Sequence, residues 1–366
     1  MIRTLRLLYS GETPVDYPKW WKRTILISAL LLVASVSSFF VRGLNLGIDF
    51  EGGTSYEVRA PGISVAEARE VLSSIGLEEA RIQLVDEEVL RIRSDISDPS
   101  RTSEIRDYLN IELGQVETFE QVGPTWGSEV TNKAVRALIV FFATVAVYIT
   151  VRLEWKMALG ALAAVSHDIL ISIGIYSIFQ LEITPATIIA FLTIMGYSLY
   201  DTIVVYDKVR EIVGRLGATD RYKYIELMNL ALNRVTMRSI NTSITSAIPV
   251  LSLLLIGSLL LGATTLQEFS VALLVGIVIG SYSSLFIASF LVSLLKTREP
   301  RWREIHEKIS RKENENGSTR NVDLKDAVQI DSKPVERTSG PAKRKPTQVH
   351  RPGGGVPPRP RKKRRK

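Results

Sequence analysis

Four ionisable residues stand in or beside long apolar runs of this sequence, and they are its best candidates for chemistry. Asp168 and Asp201 interrupt the runs from Met157 to Leu181 and from Ile183 to Tyr206. His167 precedes Asp168, and Arg238 opens the run from Ser239 to Gln267. A charge in a hydrocarbon-length segment costs several kcal/mol unless it faces water or a partner. Burial raises a carboxylate's pKa and a nearby cation lowers it, so such a group can load and release a proton. The chemistry on offer is a proton relay through Asp201, Arg238, Asp168 and His167. The plainer alternatives stay open: protonated Asp residues that only bond a neighbouring helix, a packing His167, and an Arg238 that snorkels to the interface.

Two patterns accompany these residues. Asn241, Thr242, Thr245, Ser246 and Pro249 follow Arg238 at offsets that share one helical face, giving a polar stripe that must meet protein or water. Ala272, Gly276, Gly280, Ser284 and Ala288 recur every four residues, which lets another backbone approach and predicts a helix interface at Gly276, Gly280 and Ser284.

The elements that position these groups follow from where the apolar residues lie. The chain has 366 residues, 46% hydrophobic and 23% charged, with a formal charge of +8 and no cysteine. The missing cysteines exclude a disulfide framework and thiolate chemistry. Two of the three histidines, His306 and His350, lie in a polar tail, so a His-rich metal site is out of reach. Runs without Asp, Glu, Lys or Arg extend over Thr24 to Val41, Ala137 to Val151, Ser239 to Gln267 and Phe269 to Leu295. With the two Asp-interrupted runs they predict six transmembrane helices, the second extending past Arg136 or Arg152. A cleaved signal peptide is the alternative for the first. Arg3, Arg6, Lys19, Lys22 and Arg23 precede the first span, Arg152 and Lys156 follow the second, and Lys208 to Arg238 carries seven more cations. The connections near Glu182 and Glu268 carry none, so both termini are expected in the cytoplasm.

The expected organisation is a cytoplasmic arm over 1–23, a first span over 24–42, an extracytoplasmic domain over 43–133, and five further spans over 134–297 with a cytoplasmic loop near 207–238. Strand-like alternation at Thr54 to Ala60, Ala80 to Val85, Val89 to Ser94 and Gln115 to Val122 is interleaved with helical periodicity at Val65 to Ile75 and Asp98 to Leu113. That βαββαβ order predicts a small ferredoxin-like α+β domain with an antiparallel sheet and two helices on one face. It contains no nucleophile–base grouping, so a non-enzymatic platform is expected. Residues 298–366 hold eight of the fifteen prolines, and Arg337 to Lys366 holds twelve basic residues and no acidic one. This composition predicts a disordered basic tail able to meet anionic lipid or a ribosome.

Three stretches carry a resemblance: GIDFEGG from Gly47 to Gly53, LTIMGYSLYDTIVVYDKVRE from Leu192 to Glu211, and RSINTSIT from Arg238 to Thr245. Over about residues 20 to 297 the chain resembles the SecD/SecF family of protein-export membrane proteins, in its SecF branch. The resemblance implies a resistance-nodulation-division scaffold in a bacterial plasma membrane, driven by protons. The implied partners are a SecD-like subunit, a SecYEG-type export channel and the translocating polypeptide, with no cofactor. It makes Asp201 the intramembrane acid, Arg238 a cation facing acidic groups of the SecD-like subunit, and His167 and Asp168 the family's third-span pair. Gly47, Asp49, Gly52 and Gly53 form the turn into the first external strand. Tyr200 stands where many members have Asn, which leaves the Asp in place but removes the amide. The glycines precede a strand rather than a helix, so a dinucleotide-binding reading fails, and no phosphate-binding G-x-x-x-x-G-K-[ST] loop exists. Competing readings are a small-molecule or lipid exporter subunit of the same superfamily and a scaffold that recruits ribosomes.

Overall fold

The computed structural model describes residues 15–86, 88–217, 220–260 and 263–315. The basic run from Arg337 to Lys366, with His350, lies outside the described residues, as do Arg3 and Arg6. Among the described residues, six helices are long and apolar enough to cross a membrane.

The first, α1 (Tyr17–Arg42), starts before the uncharged run because Asp16 caps the Lys19 amide and Pro18 occupies the first turn. The helix therefore begins within the stretch expected as the arm, and Tyr17 and Trp21 are buried helical residues. Next come β1 (Asn45–Leu46), the single turn α2 (Ile48–Glu51) and β2 (Gly53–Arg59). They are followed by α3 (Val65–Ser73), β3 (Arg81–Asp86), β4 (Val89–Ser94), α4 (Pro99–Glu112) and β5 (Gln115–Val122).

These strands pair antiparallel in the order β3-β4-β2-β5. Alternation sorts their side chains by face. Tyr56 and Val58 of β2 and Leu90 and Ile92 of β4 pack with Ala68 and Leu72 of α3 and Ile105 and Leu109 of α4, forming a closed apolar core. The opposite face carries Ser55, Glu57, Arg91 and Arg93, with Glu57 registered across from Arg91 and Ser55 from Arg93.

The remaining spans are α5 (Pro124–Arg152), α6 (Trp155–Phe179), α7 (Pro185–Leu216) and α8 (Tyr224–Ser252), with β6 (Glu182–Ile183) before α7. The last span is α9 (Thr264–Ser283), a π-helical turn at Ser284–Ala288 and α10 (Ser289–Thr297). Pro249 lies inside α8, and the helix continues in π form over Leu253–Leu260. In the most apolar 18-residue stretch of each span, half or more of the residues are buried in α6, α7 and the last span, against 6% in α5 and α8, so these three form the inner layer.

Helices continue through much of the segment expected as a cytoplasmic loop near 207–238: only the residues between Leu216 and Tyr224 lie outside them, and Val209, Ile212 and Leu216 of α7 pack with Leu227, Met228 and Ala231 of α8. The tail expected to be disordered from residue 298 first forms α11 (Pro300–Glu315). Trp302, Ile305 and Ile309 are spaced to share one face and are buried, with Trp302 edge-on to Tyr224 at 5.1 Å between ring centroids.

Candidate proton site in the helix bundle

The inner helices carry both intramembrane acids, and serines from neighbouring helices hold each of them. Asp201 of α7 is 5% exposed, and its Oδ2 accepts hydrogen bonds from Ser239 of α8 and Ser284, both at 2.5 Å. Asp168 of α6 is 3% exposed, and its Oδ2 accepts from Ser198 of α7 at 2.6 Å and Ser283 of α9 at 2.7 Å. His167 Nδ1 lies 3.1 Å from Asp168 Oδ1, while its buried Nε2 has no partner among the described residues. Two serine hydroxyls from different helices thus converge on a single carboxyl oxygen of each acid. Neither Asp has a Lys or Arg partner among the described residues.

Local sequence explains how one helix serves both acids. Consecutive residues of an α-helix point about 100° apart. Ser283 ends the α-helical part and Ser284 opens the π turn, so the two hydroxyls address Asp168 and Asp201 on different helices. The Ala288 carbonyl at the end of that turn accepts from the Tyr206 hydroxyl at 3.1 Å. Gly276 and Gly280 bring α9 against α7: a Cβ on Gly276 would lie 2.7 Å from Ile194 Cγ1, and one on Gly280 would lie 3.0 Å from Ser198 Cβ.

Arg238 is not brought to Asp201. It is exposed, its guanidinium donates to the Tyr200 hydroxyl at 3.2 Å, and it makes no ion pair among the described residues. Tyr200 is 54% exposed beside it, and Asn241 and Thr245 continue the exposed stripe.

A second polar centre joins the sheet to the bundle. Arg91 binds Glu57 at 2.9 Å, Glu182 at 2.8 Å and Glu268 of α9 at 2.8 Å, and Arg93 binds Glu182 at 3.0 Å. Burial alone would lower the Arg91 pKa, but hydrogen bonds and charges from Glu268, Glu182 and Glu57 raise it overall. Arg93 is lowered, first by burial and then by Arg91. Both guanidinium groups stay cationic. Asp49 faces the same region, and burial together with the charge of Glu182 holds its carboxyl above the usual range. Asp49, Glu57, Arg91, Thr118, Glu182 and Glu268 line part of a cavity of about 410 Å³ between sheet and bundle.

The glycine turn fixes this junction. Gly47 N–H donates to Ile183 at 2.9 Å, and β1 runs parallel to β6 with Asn45 opposite Glu182. A Cβ on Gly47 would lie 2.8 Å from Glu182 Oε1. Gly52 (φ +81°) backs onto Pro124, and Gly53 (φ +114°) presses on the Ser94 carbonyl, so neither position suits a side chain.

Comparison with known proteins follows these landmarks. The model of the SecD/SecF protein-export membrane protein C-terminal family matches residues 107–298, and the SecD/SecF GG motif matches residues 37–60. The protein translocase subunit SecF of Streptomyces coelicolor is 37% identical over 306 residues, 82% of each chain. This chain belongs to the SecD/SecF family. The SecF subunit of Mycobacterium tuberculosis H37Rv is also 37% identical, over 80% of this chain and 70% of that relative. The crystal structure of SecDF from Thermus thermophilus, titled a translocon-associated membrane protein, superposes with a TM-score of 0.71 at 33% identity. That match covers 81% of this chain but 42% of the SecDF chain, so this SecD/SecF family member spans less than half of it.

Sequence reasoning singled out Asp168, Asp201, His167, Arg238, the glycine turn and Ser284 as a helix-interface residue, but did not foresee that Ser198, Ser239, Ser283 and Ser284 bond the two acids, nor the Arg91–Arg93–Glu182–Glu268 centre. Alternation already put Glu57, Arg91 and Arg93 on one sheet face, a signal that could have been read. Nothing in the sequence pairs Ser283 or Ser284 with a particular acid.

Proposed function

We propose that this protein is a non-enzymatic accessory subunit of the bacterial Sec protein translocase that acts with a SecD-like subunit and uses the proton motive force. The observation that carries the reading is the pair of buried, serine-held carboxylates in the inner layer of the bundle. A carboxylate in that setting can take up a proton, and one charge crossing 100 mV gains about 2.3 kcal/mol. Asp201 and Asp168 carry the proton, with His167 beside Asp168. Arg238, exposed at the head of its stripe, faces acidic groups of the SecD-like subunit. Both termini lie in the cytoplasm of a plasma-membrane protein, as the basic connections support, and the external domain acts on polypeptide leaving a SecYEG-type channel. The basic tail contacts anionic lipid or the ribosome.

The test uses vesicles holding the channel, the SecD-like subunit and this chain, with a polypeptide arrested late in export. An imposed proton gradient should speed its release, and omitting this chain should abolish that response. A gradient without effect in the complete system overturns the reading.

A further inference from the structure

The two oxygens of Asp168 have different neighbours. Oδ2 accepts from Ser198 and Ser283, while Oδ1 has one partner among the described residues, His167 Nδ1 at 3.1 Å. The other nitrogen of that ring, Nε2, is buried and unpartnered in a residue that is 6% exposed. Buried polar atoms in folded proteins nearly all meet a protein group or an ordered water, so this nitrogen calls for a partner.

A polar cluster between α1 and α9 lies on that side. The His167 ring is 6.5 Å, centroid to centroid, from the ring of Tyr282 on α9. The Tyr282 hydroxyl donates to the Thr24 carbonyl of α1 at 2.7 Å and is joined to the Ser28 hydroxyl at 3.0 Å. With the Tyr282 hydrogen on Thr24, Ser28 donates the second bond. Thr24 and Ser28 are one turn apart and buried, at 7% and 3% exposure, and Thr24 directly follows the exposed Lys22 and Arg23. The cluster therefore stands towards the N-terminal end of α1, the cytoplasmic end in the reading above.

We propose, on the reading above that Asp168 carries protons, that His167 Nε2 binds a buried water shared with the Tyr282 hydroxyl, and that the imidazole exchanges protons between this water and Asp168 Oδ1. In one direction Nε2 takes a proton from the water, the ring becomes imidazolium, and Nδ1 releases its proton to Oδ1. The Nε2–H bond forms and the Nδ1–H bond breaks. The water regains its proton through the cluster from the aqueous phase beside Lys22 and Arg23. The ring is left as its Nε2–H tautomer, and a half-turn resets it. Ser198 and Ser283 stay on Oδ2 throughout, since a carboxyl protonated on Oδ1 still accepts there. Imidazole suits the step because its two nitrogens can take a proton on one side and give it up on the other. Among the described residues, the titratable groups facing His167 are Asp168 on its own helix and Tyr282 on α9, and α1 brings the uncharged Ser28 and Thr24.

The first test is nitrogen magnetic resonance of the full chain, labelled at histidine and bound to its partner in vesicles. His306→Gln with His350→Gln leaves His167 as the only imidazole of the chain. Nε2 should show magnetisation transfer from water, and Tyr282→Phe, which keeps the ring but removes the hydroxyl, should abolish it. The second test follows gradient-driven proton uptake with a dye enclosed in vesicles that hold the channel, the SecD-like subunit and this chain. His167→Gln can still bond a water but cannot pass a proton, and it should slow uptake about a hundredfold, the low end of what a positioned proton-transfer group contributes. Tyr282→Phe and Ser28→Ala should slow it in the same direction.

Should His167→Gln fail to assemble, Tyr282→Phe decides alone. An Nε2 without water contact, or uptake at the wild-type rate in a folded, partner-bound His167→Gln or Tyr282→Phe chain, overturns the proposal. If Asp201→Asn stops uptake while Tyr282→Phe leaves it unchanged, the proton-carrying reading stands and only this path is wrong. A wild-type chain that supports no uptake removes both.

Discussion

Arg91→Ala is the sharpest structural perturbation available outside the bundle. The guanidinium is 10% exposed and neutralises Glu57, Glu182 and Glu268 at 2.8–2.9 Å. Arg93 pairs with Glu182 only, so Glu57 and Glu268 would be left half-buried without an ion-pair partner among the described residues. Breaking a buried pair by removing one partner costs about 3–5 kcal/mol, of which the stranded carboxylate is the main part. If the sheet opens from the bundle at that cost, the open population rises about a hundredfold or more. Amide exchange of β4 and β6 in vesicles reads this directly. Arg59→Ala is the control, since its partners Glu88 and Glu117 are solvent-exposed and pairs of that kind contribute little. Replacing the cluster together, as Arg91→Met with Glu57→Gln and Glu268→Gln, should recover most of the protection, because charge burial and charge pairing disappear together. An Arg91→Ala protein with the exchange of wild type would refute the view that this centre joins sheet to bundle.

Three further outcomes are expected. Gly53→Ala should cost more than about 1 kcal/mol from φ +114° alone, and its clash with the Ser94 carbonyl should loosen the β2–β4 pairing, seen as faster proteolysis of the external segment. Trp302→Ala should cost about 3–5 kcal/mol of local packing and release α11, seen as new protease cleavage between Thr297 and Glu315 with the spans intact. Because the folded pKa of Asp49 is raised, its protonated form favours folding: that contribution is complete below the ordinary aspartate value of about 4 and is lost as pH rises through the raised value. Asp49→Asn should therefore flatten the fall in protection of β1 and β6 over that interval, and an unchanged pH profile would show that Asp49 does not report on the junction.

What could be read from sequence divides by the range of the interaction. Spans and strands were legible because hydrocarbon length and two-residue alternation are written in neighbouring residues. Asp168 and Asp201 were legible because an acid in an apolar run is costly wherever it falls. Ser198, Ser239, Ser283 and Ser284 were not, since a serine in a membrane helix is common and its bond depends on how four helices cross. Arg91, Glu182 and Glu268 come from segments far apart in the chain, and only the folded arrangement makes them one centre. Helix α11 was hidden by the proline-rich, basic composition that follows it, although the spacing of Trp302, Ile305 and Ile309 already described an amphipathic face. Arg238 shows the converse: its place at the head of a polar stripe was readable, but the sequence could not say that the stripe would be left open on the outside of the bundle.

The central claim is that a proton on Asp201 drives export, and Asp201→Asn tests it most directly. The substitution keeps size and can still accept from Ser239 and Ser284, but it cannot titrate. Wild type and variant are placed with the channel and the SecD-like subunit in vesicles, and late-stage release of a polypeptide is timed with and without an imposed proton gradient. The account predicts gradient-stimulated release for wild type, none for the variant, and equal partner binding for both; equal stimulation in the two proteins would contradict it.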